Sequence, residues 1–207
     1  MLVGPHGNVA PVDDDVVKAH LHQKLRAARE ALVWKLAGLS EYDIRRPLTP
    51  TGTNLLGLVK HNAVSDARYF GDVFGRPFPE PLPRWDDPAA AFVDHWATAH
   101  ETRDQVVGLA RRVWAHADAT IDGLDLDARG HVPWWGEEVP LLNVMAARLV
   151  DAVRHAGHAD ILREWLDGAV GVDADGLPLH GRDRSYWEAR RTSIDDAARA
   201  ADRERPA

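Results

Sequence analysis

The sequence predicts an all-α protein: a four-helix bundle of up-down-down-up topology with a helical C-terminal tail. Three observations lead there. Apolar residues recur at three- and four-residue steps over long stretches. Proline and glycine clusters separate those stretches, and nothing reads as a β-strand. With 207 residues, the chain is long enough for one domain that hides about 70% of its unfolded surface. The reading assigns 1–207 to a single domain, its core over about 14–168 and its tail over 169–207.

The first helix is expected from Asp14 to Leu39, where Val17, Leu21, Leu25, Ala28, Leu32, Leu36 and Leu39 form one stripe. The acidic Asp13 to Asp15 suit its N-terminal dipole. RRPLTPTGT stops it, and Thr53 or Asn54 caps a second helix carrying Leu55, Leu58, Val59, His61, Val64 and Tyr69 towards Phe74. GRPFPEPLPRW reads as a stiff, extended connector. A third helix is expected from Pro88 to about Thr120, with Phe92, Trp96, Val106, Leu109, Val113 and Trp114 among its apolar positions. IDGLDLDARGHVPWWGEEVP reads as a loop. A fourth helix runs from Leu141 to Asp167 and ends at Gly168, and a short tail helix spans about Ser185 to Ala201. The long connector lets the second and third helices run parallel, hence up-down-down-up. Trp165 and Trp187 are expected to anchor the tail.

Composition narrows the function. A net charge of −7 argues against a broad phosphate-binding surface, so nucleic acid is not an expected partner. The chain has no cysteine, which excludes disulfides, thiolate-zinc sites and a cysteine nucleophile. No apolar run reaches the ~18 residues of a membrane span, and MLVGPHGNVAPVDDD lacks the pattern of a signal peptide. The expectation is a cytoplasmic protein, monomer or homodimer, acting on a small molecule without a membrane.

The chemistry concentrates in RLVDAVRHAGHADILRE. Asp151 and His155 are four apart and leave one helix face. Arg148 lies three before Asp151 and His158 three after His155, so the four residues make one polar stripe. His61 sits on the second helix. A carboxylate and an imidazole at i, i+4, joined by an imidazole from a neighbouring helix, match the ligand count of a catalytic zinc site with an open position. The spacing alone is a weak signal, and a solvated helix face with Arg148 and Asp151 paired across the surface reads the same stripe equally well. Arg148 could hold an anionic substrate group, or be a helix-surface arginine. Trp134 and Trp135 could roof a pocket, or form an apolar lid with no ligand role. His95 and His100, on a charged stretch, read as solvated, and His20 and His22 cannot share a helix face.

PLTPTGTNLLGLVKHNAVSDARYFGDVFGRP, RRVWAHADATIDGLDLDARGHVPWW and HAGHADILRE resemble an actinobacterial branch of the DinB-like superfamily, related to mycothiol-dependent maleylpyruvate isomerase. The resemblance runs from about Asp14 to Trp187. It implies the up-down-down-up bundle and a metal held by a histidine of the second helix and a Glu-x-x-x-His pair of the last bundle helix. Carried over, the ligands fall on His61, Asp151 and His155, with His158 as a substitute ligand or a partner of one. Asp151 departs from the family's glutamate and reaches about 1.5 Å less far. Asn62 departs too, where many relatives carry an apolar residue.

The resemblance further implies a divalent-metal enzyme, zinc first with nickel or iron as alternatives. It would activate a small thiol, with mycothiol as cosubstrate, for S-transfer or isomerisation. A protein without cysteine must take any thiolate from such a cosubstrate. Metal-dependent hydrolysis and a non-catalytic binding module are the alternative readings.

Overall fold

The computed structural model describes residues 13–83, 87, 92–173 and 182–203. The fold is mostly helical. Helix α1 (Asp14–Trp34) starts where the Asp13 side chain accepts the Asp15 N–H, and it buries Leu25, Ala28, Ala31 and Leu32 at helical spacing. It ends before the expected Leu39. Gly38, at φ +75°, turns the chain, and Ser40 caps the short α2 (Glu41–Arg45). Asn54 caps α3 (Leu55–Asp66) by accepting the Gly57 N–H at 2.8 Å. Almost every residue of α3 is buried, the mark of a helix enclosed on all sides.

The α3 axis continues through a π-helical stretch, Ala67–Gly71, and a 3-10 turn, Asp72–Phe74, which Gly75 ends at φ +65°. Residues 76–83 are irregular apart from a bend, as their prolines predict. The third long helix, α4, spans Arg103–Asp122 and does not begin at Pro88. Pro88 itself lies outside the described residues. The start signal is a capping box: Thr102 Oγ1 accepts the Gln105 N–H, and Gln105 Oε1 accepts the Thr102 N–H. Phe92 and Trp96 therefore fall outside α4, flanking a 3-10 turn at Val93–His95, and both are exposed.

The stretch expected to be a loop contains an antiparallel hairpin, β1 (Arg129–Val132) with β2 (Glu137–Pro140), in the register Gly130↔Val139. Gly130, Val132 and Val139 point inward, and Gly136 turns at φ +71°. Gly130 is required by closeness: a Cβ there would lie 2.6 Å from Val73 and 2.7 Å from Phe74. Pro140 leads directly into α5 (Leu141–Asp167), which stops at Gly168 in the left-handed conformation. Helix α6 (Arg184–Arg203) buries none of its described residues. Trp165 is 68% exposed and faces the Arg46 guanidinium, not a described residue of the tail.

Helix α1 packs on α5, and α3 on α4, α5 and α1. Two apolar clusters result, one around Leu56, Val59, Trp114 and Ala159, the other around Leu25, Phe70, Ile121 and Met145. A row of charges threads between them. Asp118 of α4 meets Arg29 of α1 at 2.7 Å, Arg29 meets Asp66 of α3 at 2.9 Å, and Asp66 meets Arg148 of α5 at 2.7 Å. Arg29, Asp66 and Arg148 are all buried, so each charge needs the next. No helix among the described residues is long and apolar enough to cross a membrane.

Candidate metal centre

Helices α3 and α5 bring together the three residues that the sequence singled out. His61, Asp151 and His155 each offer a donor atom within 4.8 Å of the others. The His61 and His155 rings meet edge to face, their centroids 5.0 Å apart. Asp151 Oδ1 lies 3.5 Å from His155 Nε2, while Oδ2 accepts from Arg148 Nη1 at 2.7 Å. His155 Nδ1 is buried and has no hydrogen-bond partner.

Two imidazoles, a carboxylate and a buried unpartnered ring nitrogen fit a divalent cation. Burial would raise the Asp151 pKa, but the His155 ring and the Arg148 guanidinium beside it hold the carboxyl well below its usual range. The carboxylate is therefore ionised, as a ligand must be.

Arg148 is not a surface arginine. It is 3% exposed, and it also donates Nη2 to the Asn62 carbonyl at 3.4 Å. The Asn62 side chain is fully buried, and neither amide atom finds a partner. His158 is exposed, its ring 5.5 Å from that of His155, and it does not join the donor group. Trp134 donates Nε1 to the Tyr69 hydroxyl at 2.9 Å and packs edge-on against that ring. Trp135 is 39% exposed, its ring 5.7 Å from Tyr69. Both tryptophans sit at the tip of the hairpin, held by α3's π-helical end.

Two residues that sequence reasoning passed over stand at the centre. Asp94 Oδ2 lies 2.7 Å from His61 Nδ1. His95 is exposed, as expected, but lies on the 3-10 turn and not on a long helix, and it packs against His61 with ring centroids 4.3 Å apart. Burial lowers the His95 pKa, and the neighbouring His61 lowers it further. Burial opposes ionisation of Asp94, yet the His61 hydrogen bond and charge bring its pKa below the ordinary value. His61, Asp94 and His95 form a second group of donors within 4.8 Å, sharing His61 with the first. His22, set aside on spacing, is buried and bonds Asp118 at 2.8 Å, at the far end of the charge row.

Cavities open on both sides of His61. One, of about 340 Å³, is walled by Val64, Tyr69, Phe92 and Trp134, with Arg68 and Asp94 as its charged groups. The other, of about 460 Å³, is lined by Thr51, Thr53, Asn54 and the rings of His155 and His158. A search of curated proteins found no match. A model of the mycothiol-S-transferase family matches residues 20–168, a span that includes all of the donors above.

Proposed function

From the premise that the chain belongs to the mycothiol-S-transferase family, within the DinB-like superfamily, we propose that it is a divalent-metal enzyme joining mycothiol through its sulfur to a small electrophile. The observation that carries this reading is the convergence of His61, Asp151 and His155 within 4.8 Å, beside two cavities that share His61. These three residues would hold the metal, zinc first, with nickel and iron as the alternatives that the same donor set accepts. We read the four long helices as the superfamily's up-down-down-up bundle, forming one cytoplasmic domain.

When bound, a divalent cation with an open position lowers the pKa of a thiol there, so that thiolate forms near neutral pH. The chain's own groups do the rest. Arg148, fixed by Asp66, pins one oxygen of Asp151 and leaves Oδ1 turned toward His155. The hydroxyl-bearing Thr51 and Thr53 suit the sugar part of the thiol, and the exposed imidazole of His158 at that cavity can accept its proton. Phe92, Tyr69 and Trp134 suit the apolar part of the electrophile and shield it from water. The sulfur forms a bond to the electrophilic carbon, and the leaving group departs with the electron pair.

The test is the protein purified without a histidine tag, assayed for bound metal and for conjugation of mycothiol to 1-chloro-2,4-dinitrobenzene and related electrophiles. Stoichiometric metal and turnover, both lost in His155→Ala, support the reading. Turnover that survives exhaustive chelation and the loss of His155 refutes it.

A further inference from the structure

The connector between α3 and α4 crosses directly over His61, and it is fastened there. Gly57 lies under it without a side chain: a Cβ would stand 1.9 Å from the His95 carbonyl oxygen. Lys60, 3% exposed, donates Nζ to the Val93 carbonyl at 3.2 Å and the Trp96 carbonyl at 3.0 Å. Phe92 enters the turn at φ 62°, the sole described non-glycine residue with positive φ. A bulky side chain accepts that conformation only where the surroundings enforce it. The product of these constraints is the placement of one carboxylate. Asp94, in the middle of the turn, keeps only 14% of its side-chain surface exposed and meets His61 Nδ1 at 2.7 Å.

The geometry points to Asp94 as the positioning residue of the metal centre, holding the proton on His61 Nδ1 so that Nε2 presents its lone pair to the cation. A neutral imidazole has one donor and one acceptor nitrogen, and a carboxylate can only accept, so this hydrogen bond selects the tautomer. It also fixes the ring's rotation and raises its basicity as a ligand. This inference rests on the metal-centre reading above, and it goes beyond the three donors by assigning a role to the connector.

Two readouts on the intact protein separate it from that reading. Nitrogen-15 histidine spectra of the metal-free protein, at about pH 8 and thus above the ordinary histidine pKa, report the His61 tautomer. Competition with a chromogenic chelator reports zinc affinity. Wild type and Asp94→Asn, whose amide oxygen still accepts, are expected to carry the proton on Nδ1, and Asp94→Ala is expected to shift it toward Nε2. Zinc affinity should fall about 10- to 100-fold in Asp94→Ala and less in Asp94→Asn, the range for losing a ligand's hydrogen-bond partner. Gly57→Ala leaves every donor in place but displaces the turn, and should weaken zinc binding in the same way. A proton on Nε2 in wild type, or an unchanged tautomer and affinity in Asp94→Ala, would overturn the proposal. So would complete loss of zinc with a changed cobalt(II) spectrum, because Asp94 would then be a direct ligand. A wild-type protein that binds no zinc counts against the metal enzyme, while the tautomer comparison still decides the role of Asp94.

Discussion

Arg148 and Asp151, three residues apart on α5, are joined by a 2.7 Å bond from Nη1 to Oδ2, and the same guanidinium reaches the fully buried Asp66 through Nε at 2.7 Å. Asp151 is therefore not a free carboxylate lacking a methylene. One oxygen is pinned from inside the protein, and the other faces His155. The shorter side chain reaches the site because its position is fixed.

Asp151→Glu tests whether that pinning suits only the shorter side chain. The longer carboxylate reaches about 1.5 Å farther, and zinc affinity is expected to hold or rise in a chelator competition. A collapse of affinity would mean that the pocket is built around aspartate.

Arg148→Met removes the α5 end of the charge row. Asp66 keeps Arg29, but loses its second partner while fully buried. Leaving one acceptor of a buried, still-paired carboxylate without its donor costs about 1–3 kcal/mol, so urea unfolding should show a loss of that size. A change below about 1 kcal/mol would show that water compensates the buried charge, against the burial argument.

The far end of the row predicts an acid-dependent stability. Burial alone would raise the Asp118 pKa, but hydrogen bonds and charges from His22 and Arg29 bring it from 3.8 down to about 2. The unfolded chain thus binds more protons than the folded one through that interval. The stabilising contribution of Asp118 is present above about pH 4 and is lost as pH falls through about 2. In denaturant titrations, the stability gap between wild type and Asp118→Asn should narrow as pH falls from about 4 to 2. A gap that stays constant across that interval would contradict the assignment.

The sequence made the donors readable because they are local or patterned. Asp151 and His155 sit one turn apart, and α5 has the expected bounds Leu141 to Asp167. Asp94 has no such pattern. It is placed by a turn whose determinants, Gly57 and Lys60, lie more than thirty residues away and follow no pattern that points to it. The buried Arg29, Asp66 and Arg148 were equally illegible, since a charge looks solvated until its partner on another helix is known. The hairpin was hidden by Pro133, Gly136 and Pro140, which read as loop residues although the first two lie between two four-residue strands and Pro140 ends the second. The early start assigned to the third helix followed Pro88 and overlooked the stronger Thr102-x-x-Gln105 box.

The π-helical stretch Ala67–Gly71 separates two parts of the site by length rather than by residue type. A π turn holds one residue more than an α turn, and one residue corresponds to about 100° of rotation along a helix. Deleting a single residue within 67–71 would leave His61 upstream in its phase, but would swing Phe70, Val73 and the chain beyond them around the axis. The wall that carries Tyr69 and receives Trp134 would be redrawn while the metal donors stayed where they are. In a lineage of such proteins, a one-residue insertion or deletion at this point could change what the cavity accepts without disturbing the chemistry beside it.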